Sequence, residues 1–486
     1  MSLNYNFIWL LCYLLVLVGL AGYGFHRLSI VYLYWKNRNN KPQPKARFQE
    51  LPVVTVQLPM FNEKFVVDRL LESVAALDYP QDKLEIQILD DSTDDTTEQC
   101  YRKVEELKSR GFDAVCIHRT DRTGFKAGAL EAATKVAKGE FLLILDADFV
   151  PEPDLLQKTI HFFTDENVGL VQTRWGHINR EYNLLTRIQG MYLDGHFAME
   201  QTARNRSGRF FTFNGTAGIW RKCVIGDAGG WSHDTLTEDM DLSYRVQLRG
   251  WRFIYLNDVV TPAELPVDMD GFKSQQHRWT KGSIQVCQKI LLDIWRSNAP
   301  FKAKVEATTH LTCNYSYLLL ALLCFLVYPI CTQRIPENET VFMWFVNVAL
   351  FFMTSVAVCI FYMSAQIVVR PKSWWKELPY LPLLLTLSVG MAVNNAKAVL
   401  EAIFGHQSAF VRTPKYGVDR KEDRRHVSQL KRNGYRAIKS VVIPVLEIAC
   451  GTFFLNLIII MIRQGHYLSP ILMIPFLGFY YTGFCS

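Results

Sequence analysis

"LEIQILDDSTDDT", residues 84–96, decides the fold. An apolar run, Ile86 to Leu89, stops abruptly at Asp90 and Asp91, and Asp94 and Asp95 follow. Carboxylates this close repel, so solvent, a cation or donors from a ligand must offset them. One reading is a solvated turn, since Asp, Ser and Thr suit turns and N-caps. The other is a ligand site at the end of a buried strand. The sequence on either side chooses between them.

Strand-like and helix-like segments alternate around this stretch. "VVTVQLP" at 53–59 reads as a strand, 64–77 as a helix, and "LEIQILD" as the next strand. A helix is expected over about 95–109, a strand over "FDAVCIHR", a helix over 126–137, and a strand over "FLLILDAD" at 141–148. This order implies an α/β domain: a mostly parallel sheet with helices on both faces. Such sheets bind ligands at the carboxyl ends of their strands. Two strands here end in acids, Asp90/Asp91 and Asp146/Asp148. The chain has no GxGxxG and no GxxxxGK[ST], so a Rossmann dinucleotide fingerprint and a P-loop are both excluded.

Asp-x-Asp after a buried strand suits a hard divalent cation, Mg²⁺ or Mn²⁺, which in turn can hold a diphosphate. Lys126 in "RTGFKAGAL" can bring positive charge to the same diphosphate, or it is an ordinary lysine on a helix surface. The eleven cysteines form no CxxC pair and no metal-type spacing. They read as small residues in a reducing compartment.

Hydrophobic residues make up 49% and aromatic residues 13% of the 486, which points to membrane segments. Residues 7–24 are long and apolar enough to cross a bilayer, which takes about 20 residues. The following "HRLSIVYLYWKNRNNKPQPKAR" is basic and belongs in the cytoplasm. Apolar runs return at 311–333, 341–369, 376–396, 440–462 and 469–484. Both flanks of the 376–396 run are basic, so one full crossing there breaks the charge rule. Residues 376–405 are therefore read as interfacial or re-entrant. The expected organisation is an N-terminal membrane helix (1–32), a basic linker (33–51), a catalytic domain (52–300), two membrane helices (301–370), an interfacial segment with a loop (371–439) and two more membrane helices (440–486). That makes five spans of a multi-pass membrane protein, with the N-terminus outside and the catalytic domain in the cytoplasm. The net charge of +7 is modest, and no nucleic-acid partner is expected.

Further along stand "FNGTAGIWR" (213–221), "TEDMDLSYR" (237–245) and "QQHRW" (275–279). With "LDDSTDD" and "DADF", this ordered D, DxD, TED, QxxRW series resembles the processive family 2 glycosyltransferases: cellulose, hyaluronan and chitin synthases and the cellulose-synthase-like proteins. The wording looks nearest to the plant A and C subfamilies of the last group, the mannan or glucomannan synthases and the xyloglucan-backbone glucan synthases. The resemblance is dense over about 52–290. It thins toward "FVRTPKYG" (410–417), which looks like the family's gating loop FxVTxK, with Arg412 where the family often has Val.

The resemblance implies a GT-A-type catalytic domain inserted between membrane helices, and a role for each matching residue. Asp90 and Asp91 would contact the nucleotide. Asp146 and Asp148 would hold Mg²⁺ or Mn²⁺ and the diphosphate, and Lys126 the phosphate. Asp239, the last residue of TED, would be the general base, with Glu238 beside it in the catalytic pair. Gln275 and Arg278 would hold the diphosphate, and Trp279 the acceptor sugar. Phe410, Thr413 and Lys415 would close over the nucleotide. Phe213, Asn214, Gly215 and Thr216 would line the acceptor end.

The expected function is therefore a membrane-embedded, processive, inverting β-glycosyltransferase. It would polymerise a hexose from a nucleotide sugar in the cytoplasm and pass a β-linked glucan or mannan across a plasma, inner or Golgi membrane. UDP-glucose is favoured over GDP-mannose, because it serves most polymer-forming relatives. Partners would be the donor, the growing polysaccharide and the bilayer, with accessory subunits left open. With no long cytoplasmic domain after the last span, a built-in second-messenger switch is not expected. The main rival is a non-processive membrane glycosyltransferase acting on a lipid or lipid-linked acceptor. A transporter with an inactive domain fits poorly, because every expected acid is present.

Overall fold

The computed structural model describes residues 2–332, 349–350, 352–407, 412–419, 421–432, 435, 441–465 and 473–486. Seven strands build one sheet: β1 (Val54–Met60), β2 (Leu84–Asp90), β3 (Asp113–His118), β4 (Phe141–Ile144), β5 (Val168–His177), β6 (Gly218–Arg221) and β7 (Arg252–Ala263). Their order is β3-β2-β1-β4-β6-β5-β7. β1 pairs in parallel with both β2 and β4, and β5 with β7, so the sheet is mostly parallel as expected. The exception is β6, which lies antiparallel between β4 and β5. Its four residues, "GIWR", are too few to show a period.

Helices Val67–Ala75, Thr96–Ser109 and Phe125–Val136 link the first four strands. They cover both faces of the sheet, so the strands are apolar throughout rather than alternating. Successive side chains still point to opposite faces. Phe141 and Leu143 join Val56, Leu58, Ile86 and Ile88 in one core. Leu142 and Ile144 join Leu130 and Trp220 in the other.

β4 ends at Ile144, earlier than its apolar run suggests. Past it, the Leu145 N–H still donates to Gln57 O (3.1 Å), but the Asp146 N–H turns to Thr216 Oγ1 (2.8 Å). At the same edge the Asp91 N–H donates to Met60 O at 3.0 Å. The first two acidic clusters therefore flank the carboxyl end of β1, where strand order switches from β2 on one side to β4 on the other. Crevices at such switch points are where α/β sheets bind ligands.

Two described helices are long and apolar enough to cross a membrane, Ile8–Asn37 and Val442–Arg463. The total rises to four if two bent pairs each count as one span. One pair is Phe301–Thr312 with Tyr315–Val327, bent by 52°. The other, Trp374–Gly390 with Ala392–Ile403, is bent by 40° and covers the segment read as interfacial or re-entrant. The N-terminal helix reaches Asn37, beyond the expected boundary at 32. Residues 341–348 and 351 of the 341–369 run, and the start of the 469–484 run, fall outside the described residues.

Candidate active site

A cleft with about 220 Å³ of internal space opens over the carboxyl ends of β1, β2 and β4. Its floor and walls include Asp91, Lys126, Asp146, Asp148, Asn214, Gly215, Glu238, Asp239, Gln275, Arg278, Trp279, Thr413 and Lys415. Residues from seven separate stretches of chain meet here.

Asp91 enters at the end of β2 and is gripped by Arg119, whose Nε and Nη2 donate to its two oxygens at 2.8 and 2.5 Å. Asp90 does not line the cleft. It is fully buried and accepts bonds from Thr97 Oγ1 (2.7 Å), the Ser92 N–H (3.1 Å) and His118 Nδ1 (2.7 Å). Its place is that of an internal brace for the turn after β2, which corrects the expectation that both acids touch the nucleotide.

Asp146 and Asp148 reach the cleft on the turn after β4. Lys126, in the first turn of its helix, donates to Asp146 Oδ1 and to Gly215 O, the latter at 2.9 Å. Burial pulls the Lys126 pKa down, but Asp146, Glu238 and Asp239 outweigh it and hold the amine protonated. Lys415 donates to Asp148 Oδ2 at 2.6 Å and to Glu264 O at 3.1 Å. Asp146 Oδ2 and Asp148 Oδ1 make no hydrogen bond among the described residues. No group of three or more His, Cys, Asp or Glu among those residues forms a closed metal cage. Two hard carboxylates without a cage fit Mg²⁺ or Mn²⁺, which bind through one or two carboxylates and complete their shell with substrate phosphates.

Glu238 and Asp239 begin the helix Glu238–Leu248. Both are half-buried and line the cleft. Burial, and then the neighbouring Glu238, push the Asp239 pKa up to about 7. Glu238 is also raised, by burial against the pull of Lys126. Gly215, at φ +79°, passes directly over this pair, and a Cβ there would lie 3.1 Å from Asp239 Oδ2. Only glycine combines that left-handed backbone with so close an approach.

Of the four residues "FNGT", the structure brings two to the cleft. Asn214 and Gly215 line it. Phe213 is 1% exposed and packs edge-on against Trp220 at 5.4 Å, so it is core rather than acceptor wall. Thr216 is fully buried and holds the Asp146 N–H. Both correct the sequence expectation.

The QQHRW segment lies on the long helix Met269–Arg296, which Asp268 caps by accepting from the Gly271 N–H at 2.8 Å. Arg278 faces Glu238, Asp146 and Asp239 electrostatically. Trp279 meets Trp175 edge-on, with ring centroids 6.4 Å apart. His277 turns away from the cleft toward Glu401 (3.2 Å), an ordinary polar helix contact.

Thr413 and Lys415 arrive on the extended stretch 412–419, and Phe410 lies outside the described residues. Sequence reasoning missed what holds this stretch. Glu264, 3% exposed, accepts from three successive backbone N–H groups, of Tyr416 (2.9 Å), Gly417 (3.0 Å) and Val418 (3.2 Å). Nothing in "PAELP" marks that role. Arg412 also lines the cleft, bonded to Tyr435 OH at 2.7 Å. Glu63 faces it 3.7 Å away, too far for a hydrogen bond, and burial pushes the Glu63 carboxyl up to about 8.

Residues 52–282 match the family model described as Glycosyltransferase like family 2. Over these residues the chain is similar to family 2 glycosyltransferases. That stretch holds the whole sheet and the cleft's acids. Over 286 residues the chain is 42% identical to glucomannan 4-beta-mannosyltransferase 2 of Arabidopsis thaliana, in an alignment covering 56% of this chain and 53% of that protein. Over 277 residues it is 40% identical to glucomannan 4-beta-mannosyltransferase 1 of Oryza sativa subsp. japonica, with the same coverage. The chain thus spans about half the length of the curated relatives it matches. Among solved structures, it matches the mannosyltransferase PcManGT from Pyrobaculum calidifontis in complex with GDP-Man and Mn²⁺. The TM-score is 0.56 at 20% identity, over 81% of this chain and all of that one. At that identity the likeness establishes the fold, a GT-A-like glycosyltransferase domain. The family 2 match and these relatives bear out the resemblance drawn from the D, DxD, TED and QxxRW series.

Proposed function

We propose that the protein is a membrane-embedded inverting β-mannosyltransferase that builds a β-linked mannan or glucomannan from GDP-mannose. The observation that carries the reading is the convergence of Asp239, Lys126, Asp146 and Gly215 at one point of the cleft, a base beside a cation-holding carboxylate. The choice of sugar rests on the relatives, which are mannosyltransferases at 42% and 40% identity. It replaces the lean to UDP-glucose taken from sequence alone.

Inverting transfer needs a base to take the acceptor hydroxyl's proton and positive charge on the departing nucleoside diphosphate. Asp239 accepts the proton while the hydroxyl oxygen bonds to the anomeric carbon. On the opposite face the bond to the diphosphate breaks, and the electron pair leaves with the phosphate. Arg278, Lys126 and Lys415 surround that leaving group with positive charge. Asp146 and Asp148 would hold a divalent cation, which when bound neutralises diphosphate charge. Trp279 and Trp175 give flat apolar faces against which sugar C–H groups pack. The stretch 412–419, tied down by Glu264, forms the cleft's roof and excludes water from an activated sugar.

The candidate membrane helices flank this domain in sequence. The protein is placed as a multi-pass membrane enzyme with its cleft in the cytoplasm, passing product outward through its own spans. The bent segment Trp374–Ile403 would lie in or re-enter the interface, which keeps Thr413 and Lys415 on the donor's side.

Donor choice is tested by supplying membranes that contain the protein with labelled GDP-mannose and UDP-glucose in turn, then digesting the product. Label from GDP-mannose in a product that β-mannanase releases supports the proposal. Incorporation from UDP-glucose alone, released only by β-glucanase, would reverse the assignment.

A further inference from the structure

A second cavity, of about 440 Å³, lies away from the cleft. It forms where the N-terminal membrane-type helix ends, at Tyr34, Trp35 and Arg38, and where the helix Ala357–Val369 ends, at Val368 and Val369. The catalytic domain closes it with Arg174 of β5, Arg206, and Asn257 and Asp258 of β7. Two apolar helices that stop at one level, each followed by basic residues, mark the height of the lipid headgroups.

The lining is strongly unbalanced. Arg38, Lys41, Arg174 and Arg206 face a single carboxylate, Asp258, which Lys41 already pairs at 2.7 Å. The three arginines make no ion pair among the described residues. Arg174 Nε donates to Asn257 O at 2.9 Å, Arg206 Nη1 donates to Arg38 O at 2.5 Å, and the Arg38 guanidinium stacks 5.2 Å over the Trp35 ring. Arg206 Nε is buried with no hydrogen-bond partner. Like charges gathered without a counter-charge repel, so the arrangement calls for an anion with several acceptor oxygens. The opposite wall is apolar: Tyr34, Val368 and Val369.

We infer that this cavity binds the phosphate headgroup of an anionic membrane lipid, with the arginines on the phosphate and the lipid's tails along Tyr34, Val368 and Val369. The inference rests on the membrane placement proposed above. A lipid held here ties the N-terminal helix, the helix Ala357–Val369 and strands β5 and β7 together at the membrane surface. It gives the enzyme a dependence on lipid charge that the catalytic cleft does not explain.

The test uses purified full-length protein in detergent and native mass spectrometry, with phosphatidic acid or phosphatidylcholine added. Wild type is expected to retain one phosphatidic acid in preference to phosphatidylcholine. An Arg38→Gln/Arg174→Gln variant is expected to lose that preference by about tenfold or more, since each surface cation is worth about fivefold toward anionic lipid. Arg38 is exposed, so Arg38→Gln alone keeps the fold and still weakens retention, while melting temperature without lipid stays at the wild-type value. Equal retention of the two lipids, or unchanged retention in the variants, overturns the inference. So does displacement of the lipid by millimolar inorganic phosphate, which would mark the cavity as a site for a free anion. Alkaline carbonate extraction separates the two failures. A protein released from membranes fails the membrane placement, and one that stays integral without the preference fails only this inference.

Discussion

Replacing Asp239 with asparagine is expected to slow sugar transfer by about 10²–10⁴-fold, the usual worth of a general base. Donor binding should stay close to wild type. Asparagine keeps the size and the position beside Gly215 but cannot take a proton. On the proposed mechanism the donor's diphosphate would be held by other groups, Lys126, Arg278 and Lys415. Asp239 also predicts a pH profile. Burial and Glu238 raise its pKa to about 7, and the base works only when deprotonated. The wild-type rate should therefore rise as pH climbs through neutrality and fall below it. The residual rate of Asp239→Asn should lack that rise. Single-turnover transfer and donor titration, run across pH on both proteins, check both halves. A variant with near-normal transfer would remove Asp239 from the mechanism.

The second large effect is expected at Asp148. Asp148→Ala should weaken metal and donor binding together and lower transfer by about 10²–10³-fold, as when one stabiliser of developing charge is lost. Asp148 has two duties in the cleft. It lines the cleft where a divalent ion would sit, and its Oδ2 accepts from Lys415 at 2.6 Å and from the Glu264 N–H at 3.2 Å. Alanine removes one of two carboxylates from the ion and unpins Lys415 from the roof. Wild-type activity should vanish in excess EDTA and return with Mg²⁺ or Mn²⁺. Titration of metal and donor against both proteins reads the coupled loss. Full activity in EDTA would refute the role of the ion.

The sheet was readable because its strands are apolar runs punctuated by acids, and those acids mark the carboxyl edge. Which acid faces the ligand was not readable. β2 is buried along its whole length, so burial alone cannot separate Asp90 from Asp91. The partners that decide it, Thr97 and His118 for Asp90 and Arg119 for Asp91, come from other elements. "FNGT" showed the same limit: Asn214 and Gly215 turn toward the cleft, while Phe213 and Thr216 turn into the domain. Lys126 was marked by its motif, but its bond to Asp146 needed the fold. Glu264 and Glu63 carried no local signal. Each acquires its place only when residues 412–419 are laid across the cleft. The short β6 was hidden by length.

The central claim, that this cleft polymerises mannose, is tested most directly by product size. Purified protein in lipid, given labelled GDP-mannose and a divalent ion, should yield a non-dialysable product that β-mannanase degrades. The same preparation of Asp239→Asn should yield none. A product consisting of one mannose on a lipid carrier would contradict the account and establish a single-transfer enzyme.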